Sequence, residues 1–320
     1  MTDDRRSRPF SRRRVLQAAG LGAVALGGMA PLAVPGRALA QAPEIQTLEK
    51  GVITAACTGD MPLTGERDGQ PIGTDLEMLK LIADRLGLQV KVVLMGFPGV
   101  IEAVQSGRAD WFGGNFAWTQ VRSNILQLTD AAFYTGAYLI MREDEPFTET
   151  VSIADLSGRT IGTGTGFAMI PDMKKVPGVT ELKLYDGIDP CLRDIIAGRL
   201  DFAVLDAPIV DYIILQNPGF KLKQLPMVAD PAYPTLTSKF SAIWGIDPKN
   251  TDLFDAINQG LRWLHKSGQV GPILSKYGIK NPDYLVPMDP DPRIGVDRDE
   301  AGNIIGTFGH EQRDFSQYFA

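Results

Sequence analysis

The amino-acid sequence predicts an α/β protein of two similar lobes, each a mixed, mainly parallel sheet with helices on both faces, joined by two chain crossings that form a hinge. Two observations carry this. From Leu48 onward strand and helix patterns alternate, the arrangement that produces parallel sheets. A short motif also occurs twice. Ile101-Glu102-Ala103-Val104-Gln105-Ser106-Gly107-Arg108-Ala109-Asp110-Trp111-Phe112 is echoed by Leu192-Arg193-Asp194-Ile195-Ile196-Ala197-Gly198-Arg199-Leu200-Asp201-Phe202, 91 residues later. Each copy reads as a helix stopped by glycine, which adopts the left-handed backbone of a helix end at no steric cost. Arg-x-Asp-aromatic then opens a strand. One copy would be an ordinary helix-to-strand turn; two imply lobes built alike.

The elements follow in order. Residues 1–40 read as a twin-arginine export leader: Ser11-Arg12-Arg13-Arg14-Val15-Leu16-Gln17, an uncharged stretch over residues 15–36, and Ala38-Leu39-Ala40 as the cleavage site before Gln41. Pro31, Pro35 and the glycines of that stretch argue against a stable membrane-spanning helix. Val52-Ile53-Thr54-Ala55-Ala56 reads as a buried strand. Thr74-Asp75-Leu76-Glu77 fits a capping box at a helix start, and Leu76, Leu79, Ile82, Ala83 and Leu86 then share one face until Gly87. A strand over 90–95 and a helix over 98–106 complete the first unit. Asp189-Pro190 reads as N-cap and first helical residue of the helix in the second copy. The crossings fall at residues 130–136 and 231–234, followed by a returning strand over 241–246. Leu253, Phe254, Ile257, Leu261 and Leu264 form the stripe of a closing helix ended by Gly268. The first lobe is therefore expected over 45–134 with 238–287, and the second over 135–237. Residues 288–320 stand outside the plan and read as a hairpin or loose tail. Their acids Asp289, Asp291, Asp297 and Asp299 hint at a calcium loop, but Ala301 and Phe308 stand where ligand oxygens are needed.

Composition narrows the function. The chain has 32 basic and 38 acidic residues, and the leader holds seven arginines and two aspartates. That leaves 25 basic against 36 acidic after cleavage, a net charge of −11. Such acidity speaks against nucleic acid or anionic lipid as a partner. Two cysteines, Cys57 and Cys191, are too few for a disulfide framework and are expected as free thiols. With only His265 and His310 besides, neither a zinc site nor a nucleophilic triad is supported. No cofactor, metal or catalytic residue is expected.

Over roughly residues 48–287 the chain resembles the family 3 extracellular solute-binding proteins, the amino-acid receptors of ABC importers. The resemblance rests on the order of Gly73-Thr74-Asp75-Leu76, Gly107-Arg108-Ala109-Asp110, Thr119-Gln120-Val121-Arg122, Asp155-Leu156-Ser157-Gly158-Arg159 and Gly198-Arg199-Leu200-Asp201 with Asp206. It implies the type II periplasmic-binding-protein fold, a small polar ligand held between the lobes by hinge closure, and an inner-membrane ABC permease as partner. An amino-acid zwitterion cannot be buried with either charge unpaired, and the resemblance implies Arg122 for the carboxylate and Asp206 for the ammonium. Taken alone, Arg122 reads as a surface arginine capping a helix and Asp206 as an N-cap before Pro208.

Gly113-Gly114-Asn115-Phe116-Ala117 resembles the family's first binding loop, with Asn115 as a hydrogen-bonding side chain and Gly114 and Ala117 offering backbone. Gly162-Thr163-Gly164-Thr165-Gly166-Phe167-Ala168 resembles the second, with Phe167 and Ala168 facing ligand; its glycine spacing departs from a dinucleotide turn. Where many relatives carry an aromatic residue and then Pro-Phe, this chain has Cys57-Thr58-Gly59-Asp60-Met61-Pro62-Leu63, which puts an extra acid, Asp60, near the pocket mouth. Phe97 and Phe116 read as apolar wall or as core. Two rivals share the scaffold: a cyclohexadienyl-dehydratase-like enzyme using Asp60 or Glu66 as acid, and an accessory or sensor protein that binds another periplasmic protein.

Overall fold

The computed structural model describes residues 43–280, 282–305 and 308–320; the expected leader over 1–40 lies outside them. Strand β1 (Val52–Cys57) is followed by a small hairpin of β2 (Gly65–Arg67) and β3 (Gln70–Ile72), then α1 (Thr74–Leu86), β4 (Gln89–Leu94), α2 (Phe97–Gln105) and β5 (Trp111–Ala117). A one-turn helix α3 (Gln120–Ser123) and the two-residue β6 (Gln127–Leu128) lead into the long β7 (Phe133–Arg142). The pattern then repeats as β8 (Thr160–Gly164), α4 (Ile170–Met173), β9 (Glu181–Tyr185), α5 (Ile188–Ile196) and β10 (Phe202–Asp206). After α6 (Ala207–Gln216), β11 (Leu222–Leu225) and α7 (Pro234–Thr237), strand β12 (Lys239–Ile246) returns, and α8 (Thr251–Lys266) and α9 (Val270–Lys276) follow.

The strand order β4-β1-β5-β12-β7-β10-β8-β9 is nearly palindromic. β1 lies parallel between β4 and β5, as β8 lies parallel between β9 and β10. Each trio is flanked by one antiparallel strand, β12 beside β5 and β7 beside β10. Strand β7 belongs to both halves. Its start pairs with β12 (Phe133 with Ala242, Gly136 with Lys239), and its end pairs with β10 and β11. The architecture is thus the mixed, two-lobed α/β fold that the sequence predicts.

The repeated motif has a physical reason. Asp110 accepts from the Thr54 amide at 2.8 Å, tying the start of β5 to β1. Asp201 accepts from the Thr160 amide at the same distance, tying β10 to β8. The glycines before them, Gly107 and Gly198, have φ of 68° and 70°, the left-handed turn that a side chain would strain. A motif that fixes helix stop and strand register together is needed once per lobe.

Two expected helix starts are corrected. α1 is capped by Gly73 with no side-chain bond, so the capping box does not form. Thr74 donates instead to Asp75, and Glu77 accepts from Lys276 Nζ at 2.6 Å. Gly73 is required because a Cβ there would sit 2.5 Å from the Leu63 carbonyl oxygen. Likewise α5 starts at Ile188 after Gly187, and Asp189 pairs with Arg193 one turn on rather than capping.

The carboxy-terminal segment is neither loose nor detached. Arg293 is buried and donates to the carbonyls of Thr129 (2.7 Å) and Leu128 (3.1 Å), while Asp297 accepts from Arg293 and from the Trp118 indole (2.9 Å). Arg298 binds Asp130, and Phe315 is fully buried. Asp299 holds a tight turn by accepting from the amides of Ala301 and Asn303. The anchors Trp118, Leu128, Thr129 and Asp130 lie more than a hundred residues away in the chain, which is why local pattern reading misses the packing. No helix of the described residues is long and apolar enough to cross a membrane.

Candidate functional site

The carboxyl ends of the strands converge on a cavity of about 360 Å³, bounded by both lobes, the crossing strands and the carboxy-terminal segment. Such a volume suits a small molecule. On one side stands Arg122. Thr119 accepts from the Arg122 amide and so caps the short α3, which fixes where the side chain departs. The guanidinium donates to the Ala117 carbonyl at 2.6 Å and reaches the Gly166 carbonyl of the second half at 3.5 Å. It is 7% exposed. Burial lowers its pKa to about 10, an effect partly offset by the Asp206 charge.

Asp206 faces it from the end of β10. Although it occupies the N-cap position of α6, its side chain makes no capping bond, and it is 5% exposed. Burial raises its pKa to about 7. Asn115 and Arg122 pull it down, and the like charge of Asp60 pushes it further up. Asn115 therefore lies close to the carboxylate, yet neither of its amide atoms reaches a partner at hydrogen-bond geometry. Its backbone is held at φ 63°, a conformation that costs a non-glycine residue free energy and aims the amide inward. A buried amide with nothing bound is a rare feature in a folded protein.

The apolar boundary is a stack of rings. Phe97 lies on Phe116 with centroids 4.4 Å apart and planes at 7°, and Phe167 tilts against Phe97 at 4.7 Å. The Arg122 guanidinium lies over Phe116 at 5.4 Å, a cation–π contact that lessens its desolvation cost.

Six of the eight residues proposed from sequence line this cavity: Arg122, Asp206, Asn115, Ala117, Phe167 and Ala168. Two do not. The Gly114 amide donates to the buried Asp75 carboxylate at 2.8 Å and is not free for a ligand. Asp60 lies outside the lining and acts on Asp206 only through space. Asp75 is a structural hub, since it also accepts from the Trp244 indole at 3.0 Å. Sequence reasoning missed Trp118, the hinge residues Ser238 and Phe240, and Met288 of the tail, all in the lining. Trp118 alone had a local signal, being an aromatic residue between the first binding loop and Thr119. Both cysteines are buried and free, each with its pKa raised to about 12 by burial and a nearby acid.

Residues 53–280 match the model of the bacterial extracellular solute-binding proteins, family 3. The chain belongs to that family. Among relatives of this family 3 binding protein, the probable amino-acid-binding protein YxeM of Bacillus subtilis is 24% identical over 72% of this chain and 84% of its own. The histidine-binding periplasmic protein of Salmonella typhimurium is 23% identical over 65% and 80%. The amino acid ABC transporter substrate-binding protein AbpA from Streptococcus pneumoniae, solved bound to L-arginine, superposes with a TM-score of 0.63 at 21% identity, covering 71% of this chain and 94% of that one. The fold of this binding protein is therefore the type II two-lobed one. Its family match ends at residue 280, before the segment that packs Met288 against the cavity.

Proposed function

We propose that this family 3 binding protein is exported by the twin-arginine route, captures an amino-acid-like zwitterion between lobes 45–134 with 238–287 and 135–237, and delivers it to an inner-membrane ABC permease. The pair Arg122 and Asp206 carries the proposal. These are opposite charges, each more than nine-tenths buried, facing one cavity from two halves of the fold without a direct bridge between them. Burying isolated charges is costly. A carboxylate against the guanidinium fork and an ammonium against Asp206 remove that cost together, and Asn115, close to Asp206, adds a donor and an acceptor. That relatives are named for binding arginine and histidine accords with such a ligand. Closure would bend β7 and β12, the two strands that join the halves.

A thermal-shift panel tests this. L-amino acids, simple amines and organic acids are added to the mature protein; a ligand at 100 times its Kd adds about 2.7 kcal/mol of stability. The proposal fails if amines or acids raise the melting point and amino acids do not. For the leader, the intact mass of periplasmic protein should correspond to a chain starting at Gln41. A mass that retains Arg12 and Arg13 would refute processing.

A further inference from the structure

The segment beyond the family match borders the ligand cavity. Met288, Pro290 and Pro292 line it, and Met288 Sδ lies 3.9 Å from Ser241 Oγ on β12. This segment is held rigidly to one side. Arg293 and Asp297 form a buried pair at 2.9 Å, Arg293 grips the Leu128 and Thr129 carbonyls, and Arg298 reaches Asp130 at 3.0 Å. The same Asp297 accepts from Trp118 Nε1, so the tail also sets the orientation of an aromatic ring that lines the cavity between Ala117 and Thr119. All of these anchors lie on the chain around β5, α3 and β6, so the wall travels with that half when the hinge moves.

On the Arg122 side, Phe97 and Phe167 line the cavity, with Phe97 stacked on Phe116 and Phe167 tilted against Phe97. Elsewhere the lining includes Trp118, Phe240, Met288, Pro290 and Pro292, which carry no charge. The further charged group in the lining, Lys239, already has a partner of its own.

We propose that residues 288–298 form the selectivity wall of the cavity and favour an amino acid with an apolar side group over one with a positively charged side group. This rests on the amino-acid function proposed above. An apolar side group leaves water for an apolar wall and gains free energy in proportion to the area covered, whereas a guanidinium there loses its hydration with no acid beyond Asp206 in the lining to pair with.

The test is calorimetric titration of the full mature protein with glycine, L-leucine, L-phenylalanine and L-arginine, repeated on Met288→Asp and on Pro292→Asp at the exposed rim. The parent should bind leucine or phenylalanine at least about 10-fold more tightly than glycine or arginine. Either variant should shift the leucine-to-arginine ratio by about 10-fold or more towards arginine. Arginine binding tightest to the parent, or an unchanged ratio in a folded variant, overturns the wall while leaving the amino-acid function standing. Binding of none of the four overturns both.

Discussion

If Asp206 receives the ligand's ammonium, binding must depend on pH in a direction that its burial dictates. Burial raises its pKa to about 7, so below that pH the group is a neutral acid. A neutral acid cannot pair with an ammonium, and capture then requires losing the proton. Affinity should therefore be level above pH 7 and fall about tenfold per unit below it, reaching roughly 100-fold, or about 2.7 kcal/mol, at pH 5. Close to one proton should be released per ligand at pH 5–6, read as a dependence of the titration enthalpy on the buffer's ionisation enthalpy. Asp60→Asn removes a like charge and should move the midpoint down. Asp206→Asn should abolish the pH dependence along with most of the affinity. The same shift acts on folding. A carboxyl that holds its proton more tightly when folded loses stability as pH rises, here between about pH 4 and 7, by on the order of 4 kcal/mol. Asp206→Asn should therefore be more stable than the parent at pH 8 while binding worse. Affinity that stays flat from pH 5 to 7.5 without proton release refutes the role of Asp206.

Other perturbations have equally definite outcomes. Arg122→Ala should weaken the ligand found in the screen by roughly 30-fold to several-thousand-fold, the usual effect of about 2–5 kcal/mol when one partner of a desolvated pair is removed. Arg122→Lys should recover only part of this, and equal binding by parent and alanine variant in calorimetry would sink the carboxylate anchor. Cys57 and Cys191 should resist thiol reagents in the native protein and give two free groups after non-reducing denaturation, because burial keeps both protonated; a count of zero contradicts the fold. Gly245→Ala places a Cβ 2.0 Å from Phe112 Cε1 inside the sheet and should cost about 1–3 kcal/mol or more by denaturant melting. A neutral result there would mean that β5 and β12 are paired in another register.

The parts legible in the sequence were those governed by local rules. The twin glycine stops and twin aspartates announced two alike lobes because each copy acts on a strand in its own lobe. Arg122 and Asp206 are different: taken alone they read as a surface arginine and an N-cap, and only the family resemblance points to the cavity that both line. What stayed hidden depended on contacts distant in sequence. Thr74 and Glu77 have the spacing of a capping box, but Thr74 donates to the buried Asp75, and Glu77 accepts from Lys276 at the end of α9 and from Tyr277 just after it. Gly114 reads as a free backbone donor, but its amide donates to the buried Asp75. The tail carries charges and prolines typical of a loop, and only the fold brings Leu128, Thr129 and Asp130 to meet its arginines.

The separation of Arg122 from Asp206 gives such a site a means of selecting its ligand. Had the two met directly, a ligand would have to break a buried ion pair before forming its own contacts, and the net gain would be small. Instead the guanidinium is turned to the carbonyls of Ala117 and Gly166, and the carboxylate is left beside an unsatisfied asparagine. Carbonyl dipoles compensate a guanidinium less well than a carboxylate does, and a carboxyl pushed to a pKa near 7 is one whose charge is poorly solvated. Both ends of the cavity thus stand at elevated free energy. A molecule with opposite charges a few bonds apart relieves both at once; a simple amine or carboxylate relieves one and leaves the other. Discrimination by this mechanism depends on the gap between the two groups. Asn115 stands beside that gap, with its backbone held in a strained left-handed conformation and its amide bonded to neither charge.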